Sequence, residues 1–292
     1  MTNVLDRKLL FAINDQHRTA TLREFGSPDA AVTVLYFHRF GGGSLEFSKP
    51  AAKLVQAGCH VCCLEYFGHE ASEWLGPDEY VPANDVACAQ AVLREYSEKP
   101  LLVIGNGWGG HIALCALEQD TPNLMGVFLF DYVNKIQFST DIVMPLEHSI
   151  CGITAPTIEE FQQEVETLTR PYGRFGKFIT AMSIRRARKI GDILRIPIDA
   201  SAYRPFTSSP DRKYSAGAQL LSITKPVGII NGRLAEFKNL IHPPKSGARI
   251  PRTIRSYSLP KFSFLSWDST NAIDRIIEFL KPATSTTENG HE

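Results

Sequence analysis

No apolar run in this chain of 292 residues approaches the roughly 20 positions a membrane-spanning helix needs, so no membrane partner is expected. Met1 to Asn14 mixes acidic and basic residues early and has no apolar stretch leading to a cleavage site, which speaks against a signal peptide. Cysteines occur at 59, 62, 63, 88, 115 and 151, and Cys59-x-x-Cys62 has metal or redox spacing in form only. No second Cys pair or Cys/His cluster completes a zinc site, so neither a metal nor any other cofactor is expected. Cys62 and Cys63 fall in a strand-like run, where successive residues face opposite sides. Buried, reduced, structural thiols follow, and with them a cytoplasmic location. The polar stretch 282–292 has too few apolar residues to pack and is expected to be a disordered tail.

Net charge is also missing, since 31 Lys and Arg balance 31 Asp and Glu. The balance hides a division along the chain. Residues 1–169 hold 10 basic and 22 acidic side chains, whereas residues 170–261 hold 19 basic and 4 acidic ones. Two readings stay open: an anionic ligand or acidic protein partner meets the basic segment, or the two segments neutralise each other. No nucleic-acid-binding module is present, so nucleic acid is not an expected partner. The sequence does not address oligomeric state.

What is there begins at Gly105-Asn106-Gly107-Trp108-Gly109-Gly110. A strand-like run, Leu101 to Ile104, precedes it, and Ile112, Ala113, Ala116 and Leu117 follow at helical spacing. A strand that reverses into a helix this fast needs close backbone approach and a positive φ at its apex, which glycine supplies. By itself the hexapeptide also fits a Gly-rich loop that binds a phosphate.

Other segments add to the turn. Val32 to Phe37 reads as a strand that ends in His38-Arg39-Phe40-Gly41-Gly42-Gly43. His60 to Leu64 reads as another, followed by Glu65-Tyr66-Phe67-Gly68-His69-Glu70-Ala71-Ser72. Met125 to Phe130 ends at Asp131, Lys225 to Gly232 reads as a late strand, and Ala272 to Leu280 as a terminal helix. Alternating strands and helices of these lengths argue for an α/β protein with a mostly parallel sheet and helices on both faces.

In order and spacing these motifs resemble the α/β-hydrolase superfamily: its oxyanion loop at 38–43, its D-x-x-G-H-G-x-S turn at 65–72 and its G-x-S-x-G nucleophile elbow at 105–109. The resemblance implies a core of residues 1–131 and 222–281 and a helical cap of residues 132–221 inserted after the sixth strand. In that insertion Thr157 and Glu160 have capping-box spacing, and Phe161, Val165 and Leu168 fall at i, i+4 and i+7. A second helix is expected from about 176 to 194, carrying Arg185, Arg186, Arg188 and Lys189 as candidate anion contacts.

The resemblance also implies a Ser-His-Asp triad, and this chain departs from it at each position. Gly107 stands where the nucleophile should be. The acid loop reads Gly232-Arg233-Leu234-Ala235-Glu236, with Glu236 one residue late. The stretch 259–267, where the histidine is expected, contains none. The backbone N–H groups of Phe40 and Trp108 are the expected oxyanion donors, with Arg39 and Gly107 beside them. Three functions remain: a protein that binds a small, largely apolar and possibly anionic ligand without hydrolysing it; a cofactor-free lyase, cyclase or isomerase using Glu236, Asp131, His38 or Tyr66; and a hydrolase relocated onto Cys151, Ser263 or Ser266.

Overall fold

A computed structural model describes residues 3–117, 121–132, 135–137, 143–207, 213–231, 254–258 and 272–284. The chain divides into two compact units. The first comprises Met1–Tyr66, Pro82–Ile136 and Tyr214–Glu292; the second comprises Phe67–Val81 and Gln137–Lys213.

The first unit is built on eight strands: β1 (Val4–Ile13), β2 (Gln16–Phe25), β3 (Val32–Phe37), β4 (Cys59–Glu65), β5 (Leu101–Asn106), β6 (Leu124–Phe130), β7 (Val227–Asn231) and β8 (Ile254–Ser258). They lie in the order β1-β2-β4-β3-β5-β6-β7-β8. β1 runs antiparallel to β2 and β2 antiparallel to β4, and every other neighbouring pair is parallel. Strands β3, β4 and β5 are buried along their whole length, as expected where both faces of a parallel sheet are covered.

One face packs on helix α1 (Ser44–Gln56) and on the terminal helix Ala272–Thr284. Phe47, Ala51 and Leu54 of α1 and Ile273, Ile276 and Leu280 of the terminal helix meet Val34, Tyr36, Val61, Cys63, Ile104 and Phe130. Helices α2 (Pro82–Glu95) and α3 (Trp108–Ala116) pack against each other, and α3 lies along β3 and β5. The terminal helix runs on through Thr284, past the point at which a disordered tail was expected; residues 285–292 lie outside the described residues.

The second unit contains helices α4 (Val143–Cys151), α5 (Ile158–Thr169) and α6 (Gly173–Arg186). Thr157 caps α5 by accepting the Glu160 N–H at 3.2 Å. Phe161 and Val165 are buried as the spacing requires, but Leu168 is 38% exposed and Thr169 takes the inner position. Helix α6 ends eight residues before the expected 194. Arg188–Ile190 and Ile193–Arg195 instead pair as a short hairpin, whose turn places Gly191 at φ +62°. A β-branched residue on each side of a Gly-Asp turn favours this over continued helix.

Phe67–Val81, expected to belong to the core, joins this unit through polar ties. The Asp199 N–H donates to the Gly68 carbonyl at 2.8 Å, the Glu70 N–H to the Pro197 carbonyl at 2.7 Å, and the Tyr80 hydroxyl to Asp199 Oδ2 at 2.6 Å. Among the described residues no helix is long and apolar enough to cross a membrane.

Candidate functional site

The turn between β5 and α3 is built by close contact. A Cβ on Gly109 would collide with the Phe37 carbonyl and lie 2.5 Å from the His38 carbonyl; one on Gly105 would lie 2.5 Å from Gly110 Cα. Glycine at 105 and 109 is therefore a packing requirement. Gly107 is different. Its φ of +50° and ψ of −113° make it the apex of the turn, yet among the described residues a Cβ there would meet only Arg39 Cβ, at 3.7 Å. Its N–H donates to the Phe130 carbonyl at 2.8 Å, and its own carbonyl accepts from the Gly110 N–H at 3.0 Å. The backbone angle favours glycine, but the surrounding space does not demand it.

The 38–43 loop abuts the start of α3 at Gly109 and is braced from below. His38 is fully buried; its Nδ1 lies 2.7 Å from the Arg39 carbonyl, and its Nε2 accepts the Tyr66 N–H at 3.3 Å. That pair of bonds assigns the Nδ1–H tautomer. Glu65, equally buried, approaches His38 Nε2 at 3.5 Å, and its Oε1 accepts the Ser44 N–H at 2.9 Å, at the start of α1. Arg39 lies over Gly107 with its guanidinium turned away, donating to the Phe40 carbonyl at 3.1 Å and to Glu46 at 3.0 Å. A bound anion would have to share that cation with Glu46.

The remaining expected residues are scattered. Tyr66 is buried, with its ring 4.3 Å from that of His38, and burial holds its phenol well above the usual range. Asp131 follows Phe130 at φ +45°, and its N–H donates to the Ile230 carbonyl at 3.0 Å, which puts it beside the residue that accepts from Gly107. Cys151 is buried 3.7 Å from the Tyr203 hydroxyl, both in the second unit. Arg186 pairs with Glu70 at 3.7 Å, and Arg188 turns back onto the carbonyls of Arg185 and Ala187. Arg188 and Lys189 lie on the exposed hairpin, so the four basic residues do not share one surface of a helix. A groove of about 480 Å³ in this unit lies between α5 and α6, lined by Glu166, Thr169, Arg170, Lys177, Thr180 and Ile184, and includes none of the four. Glu236, Ala235, Ser263, Ser266 and the stretch 259–267 lie outside the described residues.

One carboxyl was missed by the sequence reading. Asp85, in the first turn of α2, is pushed up to about 7 by burial, and the Trp108 indole N–H offsets part of the rise. Its negative charge also helps hold the Tyr66 phenol in its neutral form. Nothing in the sequence around Asp85 marks it, because an acidic residue in a first helical turn is ordinary. The tertiary packing of Trp108 against it is what makes it unusual.

A family model, serine aminopeptidase S33, matches residues 27–170. No curated protein shows significant sequence similarity to the chain. Among solved structures, an alpha/beta hydrolase from Novosphingobium aromaticivorans superposes with a TM-score of 0.69 at 14% identity, covering 94% of this chain and 98% of that one. A putative hydrolase from Rickettsia typhi gives 0.66 at 15% identity, covering 97% and 99%. The thioesterase domain from the curacin biosynthetic pathway gives 0.66 at 16% identity, covering 94% and 99%.

Proposed function

We propose that this chain, which has the fold of the α/β hydrolases, is a member of that superfamily and binds a small, largely apolar molecule over the elbow without hydrolysing it. One observation carries this reading. The backbone of the elbow keeps the strained φ that presents a nucleophile, and the residue held there is Gly107, which has no nucleophile to present. Among the described residues only Arg39 Cβ, at 3.7 Å, would meet a side chain at position 107, so their packing does not account for its absence. The imidazole nearest in sequence to the oxyanion loop, His38, is held by backbone groups on both ring nitrogens, a bracing arrangement rather than a general base. The backbone N–H groups of Phe40 and Trp108 are the donors we assign to a ligand carbonyl or carboxylate.

The test is a panel of p-nitrophenyl esters and acyl thioesters of graded chain length, incubated with the purified chain, alongside a thermal-shift screen of the matching acids. Turnover no faster than the buffer rate, with a rise in Tm for some of the acids, is the expected result. Steady multiple turnover that scales with protein concentration would overturn the reading.

A second reading, a cofactor-free enzyme of acid–base type, is favoured by Asp85. A carboxyl titrating near neutrality beside Trp108 meets the requirement of a proton carrier close to the assigned donors. If this reading holds, substitution Asp85→Asn abolishes turnover while leaving ligand binding within a small factor.

A further inference from the structure

Strand pairing brings three metal-binding side chains together at a distance from the elbow loop in the sequence. Glu24 of β2 and Cys62 of β4 are direct cross-strand partners in the antiparallel ladder. His60 precedes Cys62 by two residues and so projects from the same face of β4. One ligand atom from each of the three falls within 4.8 Å of the other two. His60 and Cys62 are each 1% exposed.

The imidazole is poorly served by ordinary hydrogen bonding. Its two ring nitrogens each lie 3.6 Å from Cys62 Sγ and have no oxygen or nitrogen partner among the described residues. A buried polar ring left with one weak sulfur contact calls for an explanation. Glu24 is asymmetric in a complementary way. Its Oε1 accepts from Arg7 Nε at 3.1 Å and from the Tyr96 hydroxyl at 2.6 Å, whereas no bond to its Oε2 is made among the described residues.

We propose that Glu24, His60 and Cys62 form a binding site for a borderline transition-metal dication of the zinc class. A thiolate, an imidazole and a carboxylate oxygen are a ligand set that zinc accepts, with a fourth position open to water. Bonds of about 2.1 Å to nitrogen and 2.3 Å to sulfur at a tetrahedral angle put those two atoms about 3.6 Å apart. That matches the present separation of His60 from Cys62. Because the sulfur is equidistant from both nitrogens at 3.6 Å, it lies over the ring and off the in-plane lone pair of either, and binding requires the ring to turn one nitrogen toward the metal. Arg7 and Tyr96 serve as the outer shell, fixing the Glu24 carboxylate through Oε1; Arg7 is itself neutralised by Glu95 at 2.7 Å. The step is balanced by proton release: the dication displaces the Cys62 thiol proton to solvent and forms the metal–sulfur bond. Bound metal would link β2 to β4 next to the end of α2, where Tyr96 stands.

The test uses the full chain, stripped with a chelator and titrated with cobalt(II) chloride without oxygen. The expected result is a near-ultraviolet thiolate-to-cobalt charge-transfer band that saturates at one equivalent and is bleached by added zinc. Cys62→Ser should abolish that band, and Cys59→Ser, on the opposite face of β4, should leave it intact. Glu24→Gln should weaken the metal by about tenfold or more, with circular dichroism showing that each variant is folded. Absence of the band in the unsubstituted chain overturns the site whatever the variants do. A band that survives Cys62→Ser, or that depends on Cys59, assigns the cobalt elsewhere and equally overturns it.

Discussion

Arg39 Cβ stands 3.7 Å from the point that a Cβ on Gly107 would occupy, and nothing else outside the adjoining residues lies within 4 Å of that point among the described residues. Among the described residues the elbow is therefore open at its apex but packed hard at its flanks, and substitutions at its glycines should differ sharply in outcome.

Substitution Gly107→Ser should be tolerated, with a stability loss of about 1–3 kcal/mol from the positive φ and little steric cost. It should not raise esterase activity above the buffer rate, because His38 is committed to the Arg39 carbonyl and the Tyr66 N–H. A p-nitrophenyl acetate assay with the folded variant checks this. Robust hydrolysis would show that a general base reaches the apex after all.

At Gly109 the outcome reverses. The added methyl of Gly109→Ala meets backbone carbonyls that cannot swing aside, so a loss of more than about 3 kcal/mol or a failure to fold is expected. Gly58→Ala supplies the comparison. That site has φ +85° and nothing within 4 Å among the described residues, and should lose about 1 kcal/mol from backbone strain alone. Urea midpoints of the two variants give the contrast directly.

Asp85 should leave a mark on the pH dependence of stability. Its folded value, about 7, lies above the ordinary value of 3.8, so the folded state holds a proton that the unfolded state has released between these limits. The contribution is fully present below about pH 4 and is lost as pH rises toward and through 7, amounting to at most about 4 kcal/mol by linkage. The variant Asp85→Asn should abolish this fall. Tm measured from pH 4 to 8 for both proteins, and compared as a difference, isolates it from other carboxylates; parallel curves would refute the assignment.

In the second unit, Thr157→Ala removes the side-chain oxygen that accepts the Glu160 N–H and should cost about 1 kcal/mol. Faster hydrogen exchange at the first turn of α5 is the local signature to look for.

Repeating local patterns made the sheet readable. Fully buried β3, β4 and β5 are predominantly apolar runs, and the glycines at 105 and 109 announce a turn whose crowding the structure explains. The β1–β2 hairpin was harder to read because its turn is Asn14-Asp15, both at positive φ, without the glycine that usually signals such a turn. The Cys59-x-x-Cys62 spacing is one of form only, as the alternation of a strand requires. Cys59 and Cys62, three apart on a strand, face opposite sides, so the side chains beside Cys62 are those of His60 on its own strand and Glu24 across the ladder.

The amino-acid order alone determined the turn at 105–110, the glycine at its apex and the strands that flank it, because strand burial and glycine geometry are set by neighbours within a few residues. Tertiary structure decided the rest. It turned the Arg39 guanidinium onto Glu46 and away from Gly107, buried Asp85 against Trp108, and drew Phe67–Val81 to the second unit through Asp199. Each of these depends on groups 7 to 119 positions apart, and electrostatics and desolvation act across space at distances that sequence separation does not encode. The apex at Gly107 is thus legible in the chain, while the chemistry available around it belongs to the fold.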